Sequence, residues 1–72
     1  MINLKNKFSI RLKELRELKG LSQSKLANEL GYTQPCIGKW EAGTRNPSLD
    51  DVIAIAIFFN VSTDYLLGLT DL

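Results

Sequence analysis

Residues 21–43 read LSQSKLANELGYTQPCIGKWEAG, and this stretch decides the fold. Ser22 carries the side chain of an N-cap, and Leu21 and Leu26 flank it where a hydrophobic staple closes. The helix that starts near Gln23 sets Leu26, Ala27 and Leu30 on one face at helical spacing. Gly31 stops it, since glycine enters the left-handed conformation of a helix end without steric cost. The same device then repeats: Thr33 caps, Tyr32 and Ile37 form a second staple, Ile37 and Trp40 face inward, and the helix ends by Gly43. Each helix is about eight residues, roughly 12 Å long at 1.5 Å per residue, and neither is stable alone. The two must fix each other across a tight turn, and Ala27 is small enough to let their axes come close.

The spacing of Gln23, Ala27, Gly31 and Ile37 resembles the helix-turn-helix of Cro/CI-type regulators, the family of the lambdoid phage repressors. The likeness continues on both sides, through LKELRELKGLSQ before the core and EAGTRNPSLDDVIAIAIFFNVSTDYLLG after it, and so covers about Phe8 to Gly68. It implies an all-α, five-helix, lambda-repressor-like DNA-binding domain occupying residues 1–72 as one unit. It also implies an ion pair between Arg16 and Glu41, tying the first helix to the end of the second motif helix.

Composition narrows the alternatives. Seventy-two residues allow one domain, and 44% hydrophobic content is enough for a compact core. One cysteine excludes an internal disulfide, and one cysteine with no histidine argues against a metal site; no cofactor is expected. The longest apolar run, Val52 to Phe59, is eight residues, too short to span a bilayer, and the N-terminus carries scattered charges where a signal segment would be apolar. A cytoplasmic protein is expected. There is no phosphate-binding glycine loop and no acid/base constellation, so an enzyme is not expected. The net charge of +1 hides an asymmetry: residues 1–25 hold seven Lys/Arg against Glu14 and Glu17, while residues 26–72 hold Lys39 and Arg45 against six carboxylates.

The flanks complete the helix count. Phe8, Leu12 and Leu15 form one stripe of a helix over about 6–19, and further helices are expected over 23–30, 34–41, 48–59 and 62–67. Ser48 caps the fourth, with Asp50 and Asp51 in its first turn where the macrodipole favours carboxylates. Its core side reads as Leu49, Val52, Ile53, Ala56 and Phe59, which leaves Ala54, Ile57 and Phe58 for another surface. Val61, Ser62 and Leu66 repeat the staple and cap once more, before Gly68.

In a helix-turn-helix the second helix lies in the major groove with its first side chains on base edges, while the helix before it crosses the phosphates. Thr33, Gln34, Pro35, Gly38 and Lys39 lie away from the Ile37/Trp40 face and are the candidate base contacts. Gln34 carries the amide that suits adenine N6 and N7, although Pro35 disfavours helical dihedrals at the residue before it, which leaves two starts open: a helix from Gln34, or one from Pro35 with Gln34 as its extended flank. Lys39 suits guanine or a phosphate, and Cys36 reads as a small side chain facing groove or core. Gln23 and Ser24 at one helix start, and Thr44, Arg45 and Asn46 in the loop beyond Gly43, are the candidate phosphate contacts.

The expected partners are double-stranded DNA and a second copy of the chain. Ala54, Ile57 and Phe58 are the apolar residues left over on the fourth helix, and Leu67, Leu69 and Leu72 match the end of the domain through which relatives dimerise. The resulting expectation is a transcriptional regulator, in repressor form, on an inverted-repeat operator. A protein-interaction module of the same fold, such as an antitoxin, is the alternative that the modest net charge keeps open. No residue points to a small-molecule effector.

Overall fold

The computed structural model describes residues 4–71, with side chains from Lys7 onward, as five helices and no strand among them. They are α1 (Leu4–Leu18), α2 (Gln23–Leu30), α3 (Gln34–Ala42), α4 (Leu49–Phe59) and α5 (Thr63–Leu67). The last four each begin at a hydroxyl cap: Ser22 accepts from Lys25 N–H, Thr33 from Cys36 N–H, Ser48 from Asp51 N–H and Ser62 from Tyr65 N–H. At α4 the cap is reciprocal, since the Asp51 carboxylate accepts from Ser48 N–H at 2.9 Å. Gln34 is already helical, with Thr33 as the cap and Pro35 in the first turn. The expected start at Gln34 is therefore the one formed, and the alternative with Gln34 as an extended flank is not: the Thr33 cap fixes the helix start one residue before the proline.

The turn between α2 and α3 depends on Gly31, at φ +80°, which lets Tyr32 N–H return to the Ala27 carbonyl at 2.8 Å. At the other end of the molecule Gly68, at φ +82°, lies so close to α1 that a Cβ there would sit 2.6 Å from Lys7 Cβ and Cγ.

Every helix contributes to one core. Phe8 and Leu12 meet Leu26 and Ala27, Ile37 and Trp40, Ile55 and Ala56, and Leu66. Trp40 is at its centre, edge-on to Phe8 with ring centroids 6.1 Å apart and to Tyr32 at 5.0 Å. Ser9, buried on α1, donates to the Trp40 carbonyl at 2.5 Å and pins α1 to α3.

The core face of α4 differs from the expectation. Val52, Ile55, Ala56 and Phe59 are buried, whereas Leu49 is 81% exposed and Ile53 49%. The buried set steps by three, one and three residues, a proper helical stripe; the expected set was rotated toward solvent. LDDVIAIAIFF is apolar on nearly every side, so periodicity leaves its phase open and packing selects it.

One polar contact joins α4 to the turn. Tyr32 donates to Asp51 Oδ1 at 2.8 Å. Burial, reinforced by this bond, pushes the Tyr32 phenol up to about 12. Burial works to raise the Asp51 pKa as well, but the hydrogen bonds from Ser48 and Tyr32, with Arg45 nearby, hold the carboxyl below its ordinary value.

Candidate nucleic-acid interface

The N-terminal turns of α2 and α3 open on the same side, and a chain of side-chain hydrogen bonds links them. Arg16 Nε donates to Glu41 Oε2 at 2.6 Å and Nη2 to Oε1 at 3.0 Å, while Nη1 donates to the Leu21 carbonyl at 2.7 Å. Glu41 Oε1 also accepts from Gln23 Nε2 at 3.0 Å, and Gln23 Oε1 accepts from Gln34 Nε2 at 2.6 Å. The hydrogen bond to Glu41 raises the Arg16 pKa against the opposing effect of burial, so the guanidinium stays charged. The two glutamines, one at the start of each helix, are thus joined to each other and, through Glu41, to α1. Neither helix length nor apolar spacing carries a signal for this link, because it depends on the angle between α2 and α3.

The backbone leaves room for the pair. A Cβ at Gly38 would come within 3.3 Å of Gln23 Oε1 and 3.4 Å of Gln34 Nε2, so the two amides lie over bare backbone. Thr33, Gln34, Pro35 and Lys39 are exposed and Gly38 is half-buried, on the side of α3 opposite the buried Ile37 and Trp40. Cys36 is buried in the core and does not face outward. Ser24, Thr44, Arg45 and Asn46 are exposed; Thr44 Oγ1 donates to the Lys39 carbonyl at 3.3 Å, which leaves Arg45 and Asn46 at the tip of the loop. Lys25 is engaged along α2 with Glu29 at 3.4 Å.

The apolar candidates divide. Ile57 is 74% exposed and Leu69 is exposed, while Ala54 and Leu67 are half-buried. Phe58 packs edge-on to Phe59 at 5.0 Å and carries the Lys19 ammonium 5.1 Å over its ring, so much of it is satisfied within the chain. Leu72 lies outside the described residues. With Ile57, the residues Leu49 and Ile53 complete an exposed stripe at steps of four, a pattern present in the sequence but obscured by its surplus of apolar positions. No described helix is long and apolar enough to cross a membrane, and no group of acidic, histidine or cysteine side chains among the described residues is placed to hold a metal.

Comparison with known proteins adds to this geometry. A family model described as helix-turn-helix matches residues 12–66. The chain is 39% identical over 61 residues to YobD of Bacillus subtilis, an uncharacterized HTH-type transcriptional regulator, covering 85% of this chain and 54% of YobD. It is 38% identical over 61 residues to the HTH-type transcriptional activator BcrR of Enterococcus faecalis, covering 85% of this chain and 30% of BcrR. In three dimensions it is similar to the restriction-modification controller protein C.AhdI from Aeromonas hydrophila, with a TM-score of 0.78 and 39% identity over 86% of this chain and 94% of that one. The chain spans about half the length of YobD and less of BcrR.

Proposed function

This chain belongs to the helix-turn-helix family, in its Cro/CI form, and on that premise we propose that it is a transcriptional regulator that binds double-stranded DNA in a sequence-specific way, as a homodimer on an inverted repeat. The observation that carries the reading is the exposed first turn of α3, held to the first turn of α2 by the Gln34–Gln23 bond. Such a pair enters the groove as one body: Gln34, Pro35, Gly38 and Lys39, with Thr33, meet base edges, while Gln23, Ser24, Thr44, Arg45 and Asn46 meet phosphates.

A single domain of this size makes few phosphate contacts, and two copies on half-sites about one helical turn apart supply the missing affinity. Ile57 and Leu69, with Ala54, Phe58 and Leu67, form the face between copies, and occupancy of the operator blocks transcription. No contact among the described residues assigns an effector.

Selection of bound duplexes from a random library tests the reading directly. The expected product is a symmetric pair of half-sites whose binding weakens steeply with salt. Failure to retain any duplex in a salt-dependent way overturns it and leaves a protein-binding module of the same fold. Ile57→Glu should abolish dimers in sedimentation and reduce full-site affinity while leaving an isolated half-site bound as before; dimers that persist would move the interface elsewhere.

A further inference from the structure

We infer that Glu41, which stands behind the candidate interface, sets which class of base Gln34 accepts, acting as a positioning residue through Gln23. The inference rests on the DNA-binding reading above. A side-chain amide has two different ends, an acceptor oxygen and a donor NH2, and can be turned over by one rotation. What fixes its direction is its partner. Glu41 is a carboxylate paired with Arg16 and can only accept. Gln23 must therefore turn its NH2 toward Glu41, as the 3.0 Å contact has it, which leaves Gln23 Oε1 facing Gln34. Only a donor can meet that oxygen, so Gln34 is held with Nε2 inward at 2.6 Å.

The polarity set at Glu41 thus reaches an exposed residue two side chains away. Gln34 is left with Oε1 and one N–H unclaimed by Gln23. That oxygen needs an exocyclic amino group, which adenine and cytosine present in the major groove and guanine and thymine replace by a carbonyl. The remaining N–H favours adenine, whose N7 accepts beside N6. Were the relay reversed, Gln34 would turn its NH2 outward and suit the keto bases. At Gly38 a Cβ would stand 3.3 Å from Gln23 Oε1 and 3.4 Å from Gln34 Nε2, so the glycine keeps the place where the two amides meet uncrowded.

The test is duplex selection with sequencing for the unaltered chain, Gln34→Ala, Gln23→Ala and Glu41→Gln, with thermal melts of each. Gln34→Ala identifies the base position read, as the one whose preference disappears. At that position the unaltered chain should favour amino-bearing over keto-bearing bases by roughly tenfold or more, and Gln23→Ala and Glu41→Gln should bring the ratio to about twofold or less, other positions keeping theirs. Glu41→Gln also disturbs the Arg16 pair, so its ratio is read at a temperature where its melt shows it folded, and an unchanged ratio there overturns the role of Glu41; Gln23→Ala leaves that pair intact and tests the middle link by itself. A lost phosphate contact at Gln23 lowers affinity for all sequences alike and does not move the ratio. An unchanged ratio in Gln23→Ala overturns the relay while the regulator reading stands; an unaltered chain that selects no duplex overturns both.

Discussion

Arg16 and Glu41 meet side-on with 11% and 5% of their side chains exposed, so the ion pair is shielded from water across the junction of α1 and α3. Removing one partner of a shielded pair strands the other charge, which typically costs about 3–5 kcal/mol. Arg16→Ala should lower stability by that order in urea unfolding, before any change in base preference is seen. Replacing both residues by methionine should restore much of the loss, because two apolar side chains of similar length leave no stranded charge. A normal melt for Arg16→Ala with DNA binding lost would reassign Arg16 to the interface.

The helices were legible where polar residues mark an outer face. Phe8, Leu12 and Leu15 recur at helical spacing between charged residues, with Ile10 and Leu18 off that stripe, and serine or threonine caps open α2 through α5, so their boundaries are readable from local chemistry. In α4 this contrast is missing, and Ile55 could be separated from Ile53 only by what packs on it. The interface was readable as a set of exposed positions but not as a network: Glu41 and Gln23 are 18 residues apart, and nothing in either local sequence indicates that one orients the other.

Arg11 shows the same limit, being one of seven cations in the first 25 residues. Its guanidinium donates to the Tyr65 carbonyl and, at 2.6 Å, to the Thr70 carbonyl, and lies 4.2 Å over the Tyr65 ring. It thereby straps the end of α5 to α1. Arg11→Ala should cost about 1.5–3 kcal/mol, the range for hydrogen bonds to a charged group, and speed amide exchange over residues 65–71. Lysine, with one compact ammonium, should recover only part of this. Asp71 also touches Arg11, at 3.1 Å, but its side chain is 98% exposed, so Asp71→Asn should leave the melt unchanged. Equal effects of the two substitutions would mean that the strap is electrostatic and not a carbonyl clamp.

Gly38 separates stability from recognition. Alanine in a helix interior is favoured over glycine by about 1 kcal/mol, and the atoms that a Cβ would crowd are the ends of two flexible side chains. Gly38→Ala should therefore melt a few degrees higher. With DNA bound the glutamines lose that freedom, so the same variant should bind its operator more weakly. The paired melt and binding isotherm decide the point: lower stability together with full affinity would mean that the glycine serves the fold.

Tyr32 and Asp51 give the fold a pH window. The Asp51 carboxyl titrates below its unfolded value of 3.8, so the native state releases its proton more readily. That stabilisation is present above the unfolded value and is lost as pH falls through the folded one. Tyr32 is shifted the other way, from 10.0 to about 12, so the folded protein holds the phenolic proton more tightly. Its contribution is complete below pH 10 and is lost as pH rises from there toward 12. Both groups therefore support the junction of turn and α4 across the neutral range and weaken it at the two extremes. Tyr32→Phe should lower the plateau of stability, flatten its decline above pH 10 and leave the acid side steeper than the alkaline one. Asp51→Asn should flatten the acid side, at the cost of the Ser48 capping box. Urea unfolding at intervals from pH 3 to 11.5 measures both limbs, and an alkaline decline of the same slope in Tyr32→Phe would remove this phenol as its cause.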